Sequence, residues 1–450
     1  MKEELKQVLG NGKVKDNISE LQQHSEDESS HDAALPDVVC YPASTEEVQT
    51  IVRIASKHET PIVSFGIGSG LEGQAIPVCG GITIDFSNMN QLIDFSPEDM
   101  TVTVAPGMTR TELNRTLNKQ GLHFPIDPGA DASIGGMTAT NASGTTAVKY
   151  GSMRDQLLDM EVVLMDGRVI HTGSHAKKSS SGYHLTGLFC GSEGTLGMIT
   201  EITLQVHGIP EAMEGARCTF STIDECTHAA YQVLLHDISI HRMELVDKAS
   251  IKQVNGFGGY DFPEENSLFL ECAGAKAEVE AQIEKLHEIM QDAGCKQWDA
   301  ASTTEERNHL WKARHEMSTA FRHQHGKGYF GTDICVPMSK LPEMVHFARE
   351  LLDESGLAGG ILGHVGDGNF HTLIAYDRDS SQEVKAAGHL NEQLVYRAID
   401  LKGTCTGEHG VGLGKKKYQY REHGEALSVM KEMKYLLDPK QLLNPAKIFE

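Results

Sequence analysis

Two histidines, His364 and His371, bracket an Asp-Gly pair in Gly363-His-Val-Gly-Asp-Gly-Asn-Phe-His. Apolar residues around Asp-Gly are a strong hairpin signal. With Asp367 and Gly368 as the two turn residues, Gly366 faces Asn369, Val365 faces Phe370 and His364 faces His371. Opposed residues share a sheet face and lie close, so the hairpin would present two imidazoles side by side, as a divalent metal needs. A metal also needs an anionic ligand. Downstream, Thr406-Gly-Glu-His-Gly-Val-Gly offers Glu408, with His409 next to it. The plain alternative is a pair of exposed polar residues in a chain with 22 histidines, and spacing alone leaves the two readings level. The glycines around Glu408-His409 weigh toward the metal, since they let backbone approach something bulky.

The elements that must position these residues are set by the bulk of the chain. At 450 residues, two or three domains are expected, with ample core. A net charge of −23 argues against a nucleic-acid partner, which would need clustered Lys and Arg. Nine scattered cysteines without a Cys-x-x-Cys argue against an iron–sulfur cluster or Cys-type zinc site and suit reduced thiols in a cytosol. The N-terminus lacks an apolar signal core, and no apolar run is long enough to span a bilayer. The expected placement is cytoplasmic, with peripheral membrane association left open.

Residues 1–33 read as a polar, loosely packed segment. Ser44-Thr-Glu-Glu is a capping box, followed by Val48, Ile51, Val52 and Ala55 on one helical face. The strand at Pro61-Ile-Val-Ser-Phe enters Gly66-Ile-Gly-Ser-Gly-Leu-Glu-Gly. Gly66, Gly68 and Gly73 imitate a dinucleotide fingerprint, but no helix follows; Pro77 and a strand from Ile82 do. What remains is a loop whose amides could hold a phosphate as a nest, the plain alternative being a tight turn. A second small-residue stretch runs from Pro128 to Gly144 and suits the wall of a large flat ligand. Val162 to Ile170 is a second Asp-Gly hairpin, and Gly191-Ser-Glu-Gly-Thr-Leu-Gly closes the glycine series. From residue 213 the order βαββαβ predicts a ferredoxin-like unit. Leu427, Met430, Met433 and Leu437 mark a final helix face, stopped at Asp438-Pro439.

The three glycine-rich loops together resemble the FAD-binding domain of the vanillyl-alcohol oxidase/PCMH flavoprotein superfamily. The His364 to His371 hairpin, Gly407-Glu-His-Gly and Asn444-Pro-Ala-Lys-Ile resemble its D-2-hydroxy-acid dehydrogenase branch. The resemblance runs from about Pro36 to the end. It implies an α+β fold: a PCMH-type FAD-binding domain of two α/β subdomains, then a ferredoxin-like substrate (cap) domain with an antiparallel sheet flanked by helices. The expected domains are 34–212 for FAD, 213–425 for the cap, and 426–450 as a helix and tail returning to the FAD domain.

The resemblance also implies roles. Gly66, Gly68, Ser69 and Gly70 would hold the FAD pyrophosphate. Pro128, Ser133, Gly135, Gly136, Thr140, Ala142 and Gly144 would line the flavin, with Asn444 returning to it. Glu193, Gly194 and Ile199 would sit near the adenosine half. His364, His371 and Glu408 match the ligands of a divalent metal, zinc or manganese; His409 matches the base, and Arg314 the grip on a substrate carboxylate. Gly66 to Gly73 holds no His or Cys for covalent attachment, so FAD should be noncovalent. Where the hydroxyglutarate members carry a lysine for a second carboxylate, this chain has Gly331, which favours a small 2-hydroxy monocarboxylate such as D-lactate. Arg322 and Lys327 are the nearest cations in sequence. The implied reaction is proton removal by His409 and hydride transfer to flavin N5, with electrons passed to a quinone, cytochrome or electron-transfer protein. Two alternatives stay open: a glycolate-oxidase-type subunit of a complex, and a flavin-dependent alcohol or carbohydrate oxidase. A homodimer is also open.

Overall fold

The helix Thr45–His58 shows how local signals become structure. Ser44 caps it by accepting from the Glu47 amide, and Val48, Ile51, Val52 and Ala55 are completely covered. Burying each of the three larger side chains contributes about 1.5–3 kcal/mol. A computed structural model describes residues 1–236, 238–323 and 327–449, with only the backbone of Lys327. The Lys327 side chain named above therefore lies outside the described residues.

The chain forms two compact units. The first holds Met1–Ser143, Tyr150–Ile209 and Glu408–Glu450; the second holds Gly144–Lys149 and Pro210–Gly407. The chain re-enters the first unit at Glu408, earlier than the expected residue 426.

In the first unit, a four-stranded sheet has the order Val14–Lys15, Val38–Cys40, Ile82–Asp85, Ile62–Phe65. The first pair is antiparallel and the other two are parallel. The helix Thr45–His58 supplies the crossover that parallel strands require. A five-stranded antiparallel sheet follows, in the order Leu92–Ser96, Thr101–Val104, Met198–Gln205, Leu157–Val163, Val169–His171. Val102, Val104, Ile202 and Leu204 pack there against Leu113 and Leu117 of the helix Arg110–Leu117.

The N-terminal segment corrects the expectation of loose packing. Leu5 is fully buried on the helix Lys2–Leu9, and Val14–Lys15 pairs with Val39–Cys40 as a sheet edge. Three of its apolar residues, Leu5, Leu9 and Val14, enter one core, so a largely polar segment concealed a docked element. The Ser25 to Ser30 stretch is a loop, yet the Glu28 amide donates to Gly68 O at 3.2 Å.

In the second unit the strands Gln297–Ala301, Ala212–Phe220, Asn266–Gly274 and Ile240–Val246 lie side by side, all antiparallel. In chain order this is 4-1-3-2. The helices Ile223–Leu235 and Lys276–Asp292 fall where βαββαβ places them. One helix was missed: Lys248–Gly258, capped by Asp247, separates the two middle strands. The sheet continues through Ala358–Gly363, Asn369–Asp377 and Lys327–Gly331. The helix Thr304–Arg322 covers one face, where Val246, Phe269, Leu362 and Leu373 meet Leu310, Trp311, Met317 and Phe321.

The His hairpin differs from its expected register. Leu362, not His364, lies opposite His371, and the connection runs from His364 to Gly368. A third strand pairs beside this connection, on the edge away from Ala358–Gly363. Ile334–Cys335 pairs with Asn369–Phe370, and the Val336 amide donates to Gly368 O at 3.0 Å.

Candidate active site

A cleft with a cavity volume of about 200 Å³ opens in the first unit. It is lined by Gly66, Gly68, Ser69 and Gly70 from the first loop. Pro128, Ser133, Gly135, Gly136, Thr140 and Ala142 form another wall, and Glu193, Gly194, Ile199 and Asn444 a third. Gly144, expected with them, does not line it and begins the 144–149 segment of the second unit. Gly68 has φ +73°, which its neighbours Ile67 and Ser69 would adopt only with strain. At Gly135 a Cβ would stand 2.8 Å from the Pro106 carbonyl oxygen. These walls are largely backbone and small side chains, and fit a large flat dinucleotide such as FAD.

Asn444 is held by its side-chain amide, which donates to Gln74 O at 3.0 Å and Glu193 O at 2.7 Å. The tail reaches this point by bonding along Ile62, with Asn444 N to Ile62 O at 2.7 Å. Glu193 is buried and accepts from the amides of Val411 (2.7 Å) and Gly412 (2.8 Å). Burial pushes its carboxyl up to about 7; the two amides and Lys447 oppose the shift without cancelling it. Glu193 thus folds the Glu408-His-Gly-Val-Gly turn against the cleft. There Glu408 accepts from Ser143 Oγ at 2.7 Å, and the His409 carbonyl accepts from Gln74 Nε2 at 2.7 Å. Both Glu408 and His409 line the cleft.

The second unit gathers His364, His371 and Arg314. The two imidazole centroids are 5.5 Å apart. Their closeness survives the altered register because His364 stands two residues from Leu362, on the same sheet face. His371 Nδ1 donates to Thr332 O at 3.0 Å, and His364 Nδ1 donates to the Glu244 carboxylate at 2.6 Å. Both acceptors lack a proton, so Nδ1 of each ring is the donor and Nε2 is the nitrogen that can face a metal. That tautomer is the one a metal-binding histidine with a held second nitrogen adopts. Two such imidazoles fit a divalent ion. Arg314 Nη2 also reaches Glu244, at 2.7 Å. Burial raises the Glu244 pKa, but the charges of His364 and Arg314 outweigh it and bring the carboxyl down to about 2.

Sequence reading missed Glu244 and Asp333. The trace of Glu244 was a lone acid in the strand Ile240–Val246. Asp333 is fully buried and accepts from Asn369 Nδ2, Thr406 Oγ1 and the Gly407 amide, fixing the chain just before Glu408. At Gly331, a Cβ would meet the Tyr329 hydroxyl at 3.1 Å, and the Arg322 guanidinium lies 5.4 Å over the Tyr329 ring.

Comparison with solved structures gives p-cresol methylhydroxylase at TM-score 0.81 and 18% identity, over 99% of this chain and 95% of that one. Alkyldihydroxyacetonephosphate synthase follows at TM-score 0.77 and 21% identity, covering 98% and 84%. The fold is therefore the PCMH type, the α+β fold expected. The family described as FAD linked oxidases, C-terminal domain, matches residues 209–448, and the FAD binding domain matches 36–173. The chain belongs to the FAD-linked oxidases and is an FAD-dependent oxidoreductase. A relative from Danio rerio, named "Probable D-lactate dehydrogenase, mitochondrial", is 43% identical over 98% of this chain and 90% of its own. The Arabidopsis thaliana "D-lactate dehydrogenase [cytochrome], mitochondrial" is 41% identical over 92% and 73%. "Glycolate oxidase subunit GlcD" of Bacillus subtilis is 32% identical over 100% and 96%. The first two names do not carry the cytoplasmic placement expected from the sequence. Among the described residues, no helix is long and apolar enough to cross a membrane.

Proposed function

We propose that this chain oxidises a small D-2-hydroxy acid, D-lactate first, to its 2-keto acid and passes the electrons to a cytochrome, quinone or other non-oxygen acceptor. The observation that carries this reading is the buried Arg314 in the unit that also pairs His364 with His371. Relatives named for D-lactate support the substrate. Arg314 fixes the substrate carboxylate; a hydrogen bond to a charged group contributes about 1.5–3 kcal/mol. His364 and His371 would hold a divalent ion, zinc or manganese, with Glu408 as third ligand by family resemblance. Such an ion would lower the pKa of the 2-hydroxyl. His409 takes the hydroxyl proton. Bound FAD, held without a covalent link, supplies the hydride acceptor.

A single carboxylate needs a single clamp. Gly331 offers no charge, and Arg322 stacks on Tyr329. A second substrate carboxylate would be costly to desolvate. The test is a panel of D- and L-2-hydroxy acids with dye-linked turnover and peroxide detection. D-lactate should lead, and chelation should abolish turnover while flavin stays bound. Preference for D-2-hydroxyglutarate would overturn the substrate reading, and preference for glycolate would favour the glycolate-oxidase alternative. Full activity of a metal-free His371→Ala protein would remove the metal. Heat or acid should release yellow flavin into the supernatant.

A further inference from the structure

Glu244 lies on the central strand Ile240–Val246 of the second unit and has no solvent exposure. Leu245 pairs with Gly363 and Val246 with Leu362, so continuing the register places Glu244 opposite His364. The helix Thr304–Arg322 lies over this face and brings Arg314 down to it. The two carboxylate oxygens are divided between the two partners. Oε1 accepts from His364 Nδ1 at 2.6 Å, while Oε2 accepts from Arg314 Nε at 2.9 Å and Nη2 at 2.7 Å.

We propose that Glu244 is a positioning residue that joins the metal ligand to the substrate clamp, so that metal retention and substrate affinity depend on one buried side chain. The proposal rests on the reading that His364 binds a divalent ion. Its physical basis has three parts. A carboxylate on Nδ1 fixes the ring's tautomer and orientation and makes Nε2 a stronger donor to metal. The same carboxylate fixes a guanidinium that otherwise sits on a long rotatable stem. An anion between the two also offsets the repulsion that Arg314 and a bound cation would exert on each other. Glu271 provides an internal contrast. It is buried on the neighbouring strand, but it takes the Trp311 indole at 2.8 Å and stands 3.7 Å from Arg242.

The test compares wild type, Glu244→Gln, Glu244→Asp and Glu271→Gln as flavin-loaded full-length proteins. Each is stripped by chelation and titrated with zinc or manganese. Metal Kd, flavin content, and kcat and KM for D-lactate are read. Glu244→Gln should weaken metal binding about 10–100-fold and, at saturating metal, raise KM, with flavin content unchanged. Glu271→Gln should move neither metal Kd nor KM. If Glu244→Gln does not fold, Glu244→Asp carries the test, because a side chain one methylene shorter cannot serve both partners. Wild-type Kd and KM in a Glu244 variant would overturn the proposal, as would equal losses in Glu271→Gln. A wild type that takes up neither ion overturns the metal reading itself, and the coupling with it. Metal uptake with an unmoved Glu244 variant overturns only the coupling.

Discussion

Two buried glutamates, one in each unit, meet opposite fates. Glu193 in the first unit is held by backbone amides and is pushed up to about 7. Glu244 in the second unit stands between a guanidinium and an imidazole and is brought down to about 2. Burial raises both; His364 and Arg314 reverse it at Glu244, while two amides and Lys447 do not at Glu193. The same division runs through the two units. The first builds its cleft mainly from backbone and small residues. The second concentrates charged and titratable side chains on one sheet face.

Glu193, Glu408 and His409 depart from that division as titratable side chains in the backbone-built unit, and the loss of His409 should have the largest effect. His409→Gln should lower kcat about 10²–10⁴-fold while flavin content stays at the wild-type level. Stopped-flow flavin reduction with D-lactate checks this, and an unchanged reduction rate would place the base elsewhere.

The pH dependence of Glu193 sharpens the contrast. Its unfolded carboxyl releases its proton near the ordinary glutamate value of 4.5 and its folded one near 7. The unfolded state therefore binds fewer protons between these values. Stability is full below the lower pKa and falls as pH rises through the window, by about 3 kcal/mol in all. Glu193→Gln should abolish that slope. Denaturant unfolding of flavin-free protein at about pH 4.5 and pH 7.5 measures it; equal slopes in both proteins would mean that Glu193 is ionised throughout.

The smallest effect is expected from Arg314→Lys, which keeps the charge but loses the planar fork. KM for D-lactate should rise about tenfold, with flavin binding untouched. Loss of flavin in this variant would break the division of labour between the units.

Much of this molecule was legible in short stretches. Ser44 caps the helix that follows it, because a cap acts within three residues. The glycine loops announced a cleft, because a missing side chain is visible in sequence. Asp166-Gly167 gave a tight hairpin, with Gly167 N donating to Leu164 O at 2.8 Å. The identical dipeptide Asp367-Gly368 did not: the connection runs from His364 to Gly368, and a strand distant in sequence, Ile334–Cys335, pairs with the residues that follow it. The docking of Leu5 and the missed helix Lys248–Gly258 show the same limit, as contacts with distant residues outweigh composition. The meeting of Glu244, Arg314 and His364 was decided by tertiary structure alone. These residues come from a strand, a helix and a connection far apart in the chain. Sheet order and helix packing place them together, and no local signal records which buried acid will face which cation.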